Sequence, residues 1–273
     1  MPTLPDDIFA ALQRAHPERD FLLLSASISR KLHRELAQLL SSGRHHPRCT
    51  IFLCTLGGDS DAGYRIARCL QDNYEHIRLV IPSYCKSAGT LIAIGAHALA
   101  IGDLGELGPL DMQIAKPTEL NERASVLDVT EALNAISMHI SDLFLSMLFD
   151  IRKTGHLSTL VAAEFAASIA ASAIAPLYGQ IDPVRLGAIQ RTVRIANHYG
   201  QRLNRSSAAL LPDSLEKLIG DYPSHSFVID RAEAAELFRY VECPTSEETG
   251  ICNSLWEFLA TPAEISPMYL LEK

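Results

Sequence analysis

The feature that most restricts the fold is a regular alternation, across the first hundred residues, of short apolar runs with helix-patterned stretches. Residues 20–24 read as a strand, 29–40 as a helix and 49–55 as a strand carrying β-branched residues. Residues 61–73 then place Ala62, Ile66, Cys69 and Leu70 at helical spacing. Residues 77–81 are again strand-like and Pro82 closes them; 87–96 read as a tightly packed helix and 98–101 as a short strand. A helix between two strands supplies the long crossover that parallel pairing requires, so the alternation predicts βαβ units with largely parallel strands.

After about Asn121 the pattern changes. Residues 125–149, 157–175, 183–203 and 215–219 are helix-like. Residues 227–230 form a short apolar run ahead of a helix at 231–237, and the tail at 243–253 is polar and turn-rich. No repeat of fixed period appears. The expected organisation is a single domain over residues 1–273, with an α/β core at 1–120 and a mainly helical extension at 121–273.

Composition narrows the function class. Hydrophobic residues make up 48% and charged residues 21%, the balance of an ordinary globular protein. The net charge of -8 is diffuse and argues against a nucleic-acid surface. The one basic cluster, Arg44 to Arg48, reads as a solvated linker. Six cysteines form no C-x-x-C pair, and residues 1–7 lack the basic and apolar regions of a secretory leader, so a reducing, cytoplasmic setting is expected. Residues 91–102 are apolar but too short to span a bilayer. Residues 160–178 are long enough, but they are rich in Ala and carry Glu164, so a buried or oligomer-facing helix and no membrane span are expected. Neither metal-ligand spacings nor a phosphate-binding G-x-x-x-x-G-K-[ST] loop occurs, so no metal and no cofactor are expected.

Three segments carry the chemistry. The first, Thr55-Leu56-Gly57-Gly58-Asp59-Ser60-Asp61-Ala62-Gly63, leaves a strand and opens a helix. Adjacent glycines at a strand end permit unusual dihedrals and close approach, and their N–H groups can form half of an oxyanion hole. The plainer reading is a strand-to-helix turn capped by Asp or Ser. The second segment, Tyr84-Cys85-Lys86-Ser87-Ala88-Gly89-Thr90, makes the same kind of corner after the next strand. Ser87 there can present its hydroxyl at a helix N-terminus, where the dipole and unbonded N–H groups stabilise developing negative charge, with Ala88 N–H as the second oxyanion donor. Ser87 can equally be an ordinary N-cap. Cys85 lies in the strand end, where a packed thiol is expected, and Lys86 is expected to make a structural contact. The third segment, Gly105 to Ile114, is a Gly/Pro-shaped loop able to line a cleft beside Ser87.

Together these segments resemble the serine dehydrogenase proteinase family, a branch of the Clp-protease/crotonase superfamily with signal peptide peptidases as relatives. The residues that carry the resemblance are Thr55-Leu56-Gly57-Gly58 with Ala62-Gly63, Cys85 to Leu91, and Glu106 to Ile114, with a fourth match at Tyr222 to Asp230 followed by Glu233-Ala234. The family usually has Pro at the positions of Leu56 and Met112. The resemblance implies a stacked ββα core, a serine hydrolase, in particular a peptidase acting on polypeptide, a nucleophile at Ser87 and an oxyanion hole from Gly58, with neighbouring Gly57, and Ala88. It also implies self-association into a homo-oligomer.

A serine nucleophile needs a base. In the Clp proteolytic subunit a His stands in the loop corresponding to the third segment; here the basic side chain near that loop is Lys116. The signal peptide peptidase relatives use a Lys base, and burial can lower a Lys pKa enough for the task. Lys116 can also be an exposed loop lysine. His225, inside the fourth match, suits general-base work near neutral pH, or packs a turn ahead of residues 227–229. His97, His139, His156 and His198 sit in helical or strand patterns and read as structural. Two other functions stay open: an inactive assembly module that has kept the fold, and crotonase-like acyl-CoA chemistry with Asp59, Asp61 and Glu106 as acid/base candidates.

Overall fold

The computed structural model of the chain describes residues 6–43, 45–110, 113–115, 123–180 and 182–270. In chain order the elements begin with α1 (Asp6–Ala15), β1 (Arg19–Ser25), α2 (Arg30–Gly43), β2 (Arg48–Cys54) and α3 (Ser60–Asn73). They continue through β3 (His76–Ile81), β4 (Tyr84–Cys85), α4 (Ala88–Gly95), β5 (Ala98–Ile101) and β6 (Glu106–Leu107). Next come β7 (Gln113–Ala115), β8 (Arg123–Ser125), α5 (Val126–Gly155), α6 (Thr159–Tyr178) and α7 (Pro183–Ser207). The last are α8 (Ser214–Gly220), α9 (Arg231–Leu237), β9 (Val241–Glu242), α10 (Ser246–Ser254), α11 (Trp256–Leu259) and β10 (Met268–Tyr269).

Two compact units result: residues 1–112 with 193–273, and residues 113–192. The first holds a six-stranded sheet of order β10-β1-β2-β3-β5-β9. Every neighbouring pair in it is parallel except β1 with β10. The α/β reading and its strands hold, because a parallel sheet covered on both sides makes strands run almost continuously apolar. Leu22, Ile51, Leu79 and Leu99 stand side by side across four strands and face a core shared with α2, α3 and α4. One residue on, Leu23, Phe52, Val80 and Ala100 form the opposite row and meet Leu12, Ile251, Leu255 and Leu259.

That second layer corrects the sequence reading twice. The stretch expected to be a turn-rich tail forms α10, with a full capping box in which Thr245 Oγ1 accepts from Glu248 N–H and Glu248 accepts from Thr245 N–H. The signal was legible as Thr245-Ser246-Glu247-Glu248 ahead of Ile251 and Cys252. Residues 193–273 also share the compact unit of the α/β core, rather than continuing one helical extension from residue 121. The short apolar run at 227–230 forms only an isolated antiparallel bridge, between Ile229 and Leu107. Two residues of bridging are too few to propagate a ladder.

The second unit contains the antiparallel pair β7–β8 and the helices α5 and α6, which pack along one another. Ala162, Ala166, Ala170 and Ile174, four residues apart, are the buried positions of α6. Among the described residues α6 is the one helix long and apolar enough, by length and composition, to cross a membrane, and 22% of its apolar window is buried.

One buried ion pair joins α10 to the sheet. Arg78 of β3 donates through Nε to Glu248 Oε1 at 2.6 Å, with the Glu248 side chain only 1% exposed. The same carboxylate closes the capping box. Glu248→Ala therefore leaves the Arg78 guanidinium with Glu242 (2.7 Å) as its remaining carboxylate partner and uncaps α10 at the same time. The expected loss is about 2–4 kcal/mol of unfolding free energy, to be read from urea denaturation at neutral pH.

Candidate active site

The two strand-to-helix corners of the sequence meet in space through the backbone. Thr55 N–H donates to Tyr84 O (2.8 Å) and Lys86 N–H donates to Thr55 O (3.0 Å), so the end of β2 is laced to the short strand β4. At the first corner Gly57 and Gly58 adopt φ of 101° and 143°, values that side-chain-bearing residues avoid. A Cβ on Gly58 would lie 2.2 Å from Ile28 O. The corner is held there because Ile28 N–H donates to Gly57 O (2.8 Å) and Asp59 N–H donates to Ile28 O (2.9 Å). Asp59 then caps α3, its carboxylate accepting from Asp61 and Ala62 N–H.

At the second corner Ser87 has φ 51° and ψ -108°, a sparsely populated conformation that costs about 1–3 kcal/mol and persists only where its surroundings impose it. Its side chain makes no capping bond to α4, so capping is not the use of this hydroxyl. Ser87 is partly exposed and borders a recess shared with Ser60, Ala88, Leu91, Leu110 and Ala196. A Cβ on Gly57 would fall 3.0 Å from Ser87 Cβ, so the glycine corner lies directly against the serine. Among the described residues the N–H groups of Gly58 and Ala88 donate no hydrogen bond. Gly57 N–H, in contrast, donates to Thr55 Oγ1 at 3.1 Å. That corrects the grouping of Gly57 with the oxyanion donors: its contribution is the absence of a side chain beside Ser87.

The remaining candidates separate cleanly. Cys85 is fully buried, and burial pushes its thiol well above the ordinary range, as expected for a packed sulfur. Lys86 is buried, and its ammonium donates to Leu107 O and Phe227 O, each at 3.1 Å, while pairing with Glu106 Oε1 at 2.9 Å. It is a structural tie, as its place beside the corner suggested. Through it the second corner, the third loop and the fourth segment are drawn together. Thr90 Oγ1 adds a bond to Gly108 O (2.6 Å), Leu110 N–H one to Leu218 O (2.7 Å), and Leu107 and Ile229 exchange backbone bonds of 2.9 and 3.1 Å. His225 is half-buried in the turn that Phe227 N–H closes onto Ser224 O. Lys116 lies outside the described residues.

The acidic residues available to acyl-CoA chemistry are all engaged: Asp59 in its cap, Asp61 with Arg30 and Tyr199 OH, Glu106 with Lys86. Among the described residues no cluster of His, Cys, Asp or Glu could hold a metal ion. The sequence reading passed over Ile28 and Ala196, and gave Thr55 no role beyond its place in the first motif. Thr55 stands at the head of the first motif and could have been suspected. Ala196 carried no signal, because only folding brings α7 to the recess.

Residues 29–155 match the family model described as ClpP-like SDH-type serine proteinase. The motif resemblance is thus a family match. It covers the two corners and the third loop, and with the parallel sheet it gives the α/β unit a Clp-protease-like fold. An uncharacterized protein of Methanocaldococcus jannaschii is 33% identical over 66 residues, 24% of this chain and 23% of that protein. The chain therefore aligns with about a quarter of that relative's length. Among solved structures, the 1510-N membrane-bound stomatin-specific protease superposes over 54% of this chain and 68% of its own, with 15% identity and a TM-score of 0.34. ClpP1 from Listeria monocytogenes superposes over 56% of this chain and 82% of its own, with 18% identity and a TM-score of 0.26.

The glycine corner can be tested by opposite signs. Gly58→Ala combines positive φ with a backbone clash and is expected to lower unfolding free energy by more than ~1 kcal/mol. Gly187→Ala, in an exposed turn of α7 where a Cβ meets nothing within 4 Å, is expected to raise it by about 0.5–1 kcal/mol. Paired urea titrations measure both.

Proposed function

We propose that the chain is a serine hydrolase, specifically a peptidase acting on polypeptide by way of an acyl-enzyme, with Ser87 as nucleophile. One observation carries the reading: Ser87 is held in a strained conformation against the Gly57 corner, with its hydroxyl not used for capping, next in the chain to Ala88 N–H, which like Gly58 N–H donates no hydrogen bond among the described residues. Strain at such a corner is maintained only by surroundings that over-determine it, and here those surroundings are the laced strand ends and the glycine wedge.

In the proposed reaction Ser87 Oγ attacks the scissile carbonyl and loses its proton to a base, Lys116 or His225. The carbonyl oxygen becomes an oxyanion and is held by Gly58 and Ala88 N–H, donors whose removal in comparable sites costs roughly 10²–10³ in rate. The C–N bond breaks as the protonated base returns its proton to the departing amine. Water, deprotonated by the same base, then attacks the ester, and the proton goes back to Ser87 as the acid product leaves. The family description supports polypeptide as substrate, and self-association and a cytoplasmic setting are part of the proposal. The engagement of Asp59, Asp61 and Glu106 disfavours acyl-CoA chemistry.

An alkyl fluorophosphonate is expected to label Ser87, and Ser87→Ala to abolish labelling, read by intact mass and peptide mapping. Of Lys116→Ala and His225→Ala, the variant that removes the base should slow labelling by about 10²–10⁴-fold. If a folded sample stays unlabelled across neutral and alkaline pH, the hydrolase reading fails and an assembly module remains.

A further inference from the structure

We infer that an extended segment of another polypeptide docks beside β9, adding a strand to the open edge of the sheet and seating one large apolar side chain, flanked by basic residues, in the cavity next to Trp256. The inference does not depend on the hydrolase reading, because no residue that lines this groove also borders the Ser87 recess. β9 is the last strand of the sheet, so one of its sides has no strand neighbour. Leu99 N–H donates to Tyr240 O, and Leu99 stands opposite Val241, which turns the backbone groups of Tyr240 and Glu242 toward β5. Those of Arg239, Val241 and Cys243 face outward by the same alternation. The outward side is already used for pairing at its start: Arg239 N–H donates to Ala209 O (2.8 Å), and Leu210 bridges antiparallel to Phe238. There the pairing stops. Among the described residues Val241 and Cys243 make no backbone hydrogen bond.

A groove of ≈ 450 Å³ follows this open stretch. Val241, Glu242 and Cys243 all line it, although alternate side chains of a strand point to opposite faces, so the groove exposes the backbone edge itself. Ala232 and Ala235 of α9 line it too, and their small side chains leave room for a neighbouring main chain. The groove continues into a second cavity of ≈ 460 Å³, with which it shares Gly102, Asp103, Arg231 and Cys243. This cavity is lined by Leu104 of the loop after β5, by Pro82 and Pro244, and by Trp256 of α11. Leu104 is 69% exposed and Trp256 38%, apolar surface that a docked side chain would cover. Unpaired main-chain groups beside an apolar pocket are the two parts of strand addition: the backbone supplies the bonds and the pocket reads one residue. A small apolar molecule would fill the pocket and leave Val241 and Cys243 unpaired. Charge sets the flanks, since Asp103, Asp230 and Glu242 line the groove against Arg231 alone, which favours Lys or Arg beside the apolar residue.

Trp256 is the one tryptophan of the chain, so its emission reads occupancy of the cavity directly. The test titrates the full chain with acetyl-Lys-Val-Phe-Val-Lys-amide to about 1 mM under reducing conditions. Binding is expected to shift Trp256 emission and to slow alkylation of the exposed Cys243 by iodoacetamide. Replacing the peptide's phenylalanine by alanine should weaken binding at least tenfold, as should Leu104→Asp in the protein, with circular dichroism confirming the fold. Two further peptides carry N-methyl groups on alternate amides, one in each phase; only the phase whose amides face β9 should lose affinity. A glutamate-flanked peptide should bind more weakly than the lysine-flanked one. The inference is overturned if the lysine-flanked peptide gives no response, if the alanine or glutamate version binds as well, or if the two N-methylated phases behave alike. It is also overturned if acetyl-phenylalanine amide matches the pentapeptide, or if the emission shifts while Cys243 alkylation does not change. Emission that shifts with protein concentration and ignores the peptide assigns the groove to a second copy of the chain and overturns it as well. The unmodified chain decides all of these outcomes without any variant.

Discussion

Two backbone hydrogen bonds, from Thr55 N–H to Tyr84 O and from Lys86 N–H to Thr55 O, hold the rest of the site in place. Each alone is an ordinary sheet-like bond. Together they force two chain corners, which leave neighbouring strands and enter different helices, into one junction. The conformations of Gly57, Gly58 and Ser87 follow from that junction. Gly58 is pressed onto the Ile28 backbone and Gly57 onto Ser87, so the glycines are there because the neighbouring chain occupies the volume of a Cβ.

A second tier of contacts gathers distant segments around this junction. The Lys86 ammonium is a point charge with three donors, and it takes three acceptors from two segments: Glu106 and Leu107 of β6, and Phe227. A buried ammonium is tolerated only with such a complement. The resulting tie explains how a loop at residues 105–110 and a turn near residue 225 come to share a neighbourhood with Ser87.

Much of this was legible in the sequence. The strands β1, β2, β3 and β5 and the helices between them announced themselves because a doubly covered parallel sheet needs long apolar strands and patterned crossovers. The corners announced themselves through Gly57-Gly58 and Ser87, residue types that unusual backbone geometry and nucleophilic chemistry require. What stayed hidden was of two kinds. Helix α10 is short, and its acidic first turn drew attention from Ile251 and Cys252 although the capping-box residues Thr245 and Glu248 stood there to be read. The recess walls and the use of Gly57 N–H depend on Ala196, Leu110 and Thr55 being brought together by packing, which no local pattern encodes. His225 shows the same limit from the other side, since its turn is placed by Phe227 and Ile229 and not by the histidine itself.

The layer formed by α1, α10 and α11 on the second face of the sheet has a consequence for biosynthesis. Phe21, Leu23 and Phe52 are made well before Ile251, Leu255 and Leu259, which cover them. On the ribosome the nascent sheet therefore carries a bare greasy face until that later segment has been made. The edge strand β1 likewise waits for Met268 and Tyr269 of β10 before its outer backbone is paired. Completion of this core waits on that later segment, and the interval before it is when a chaperone has a surface to hold.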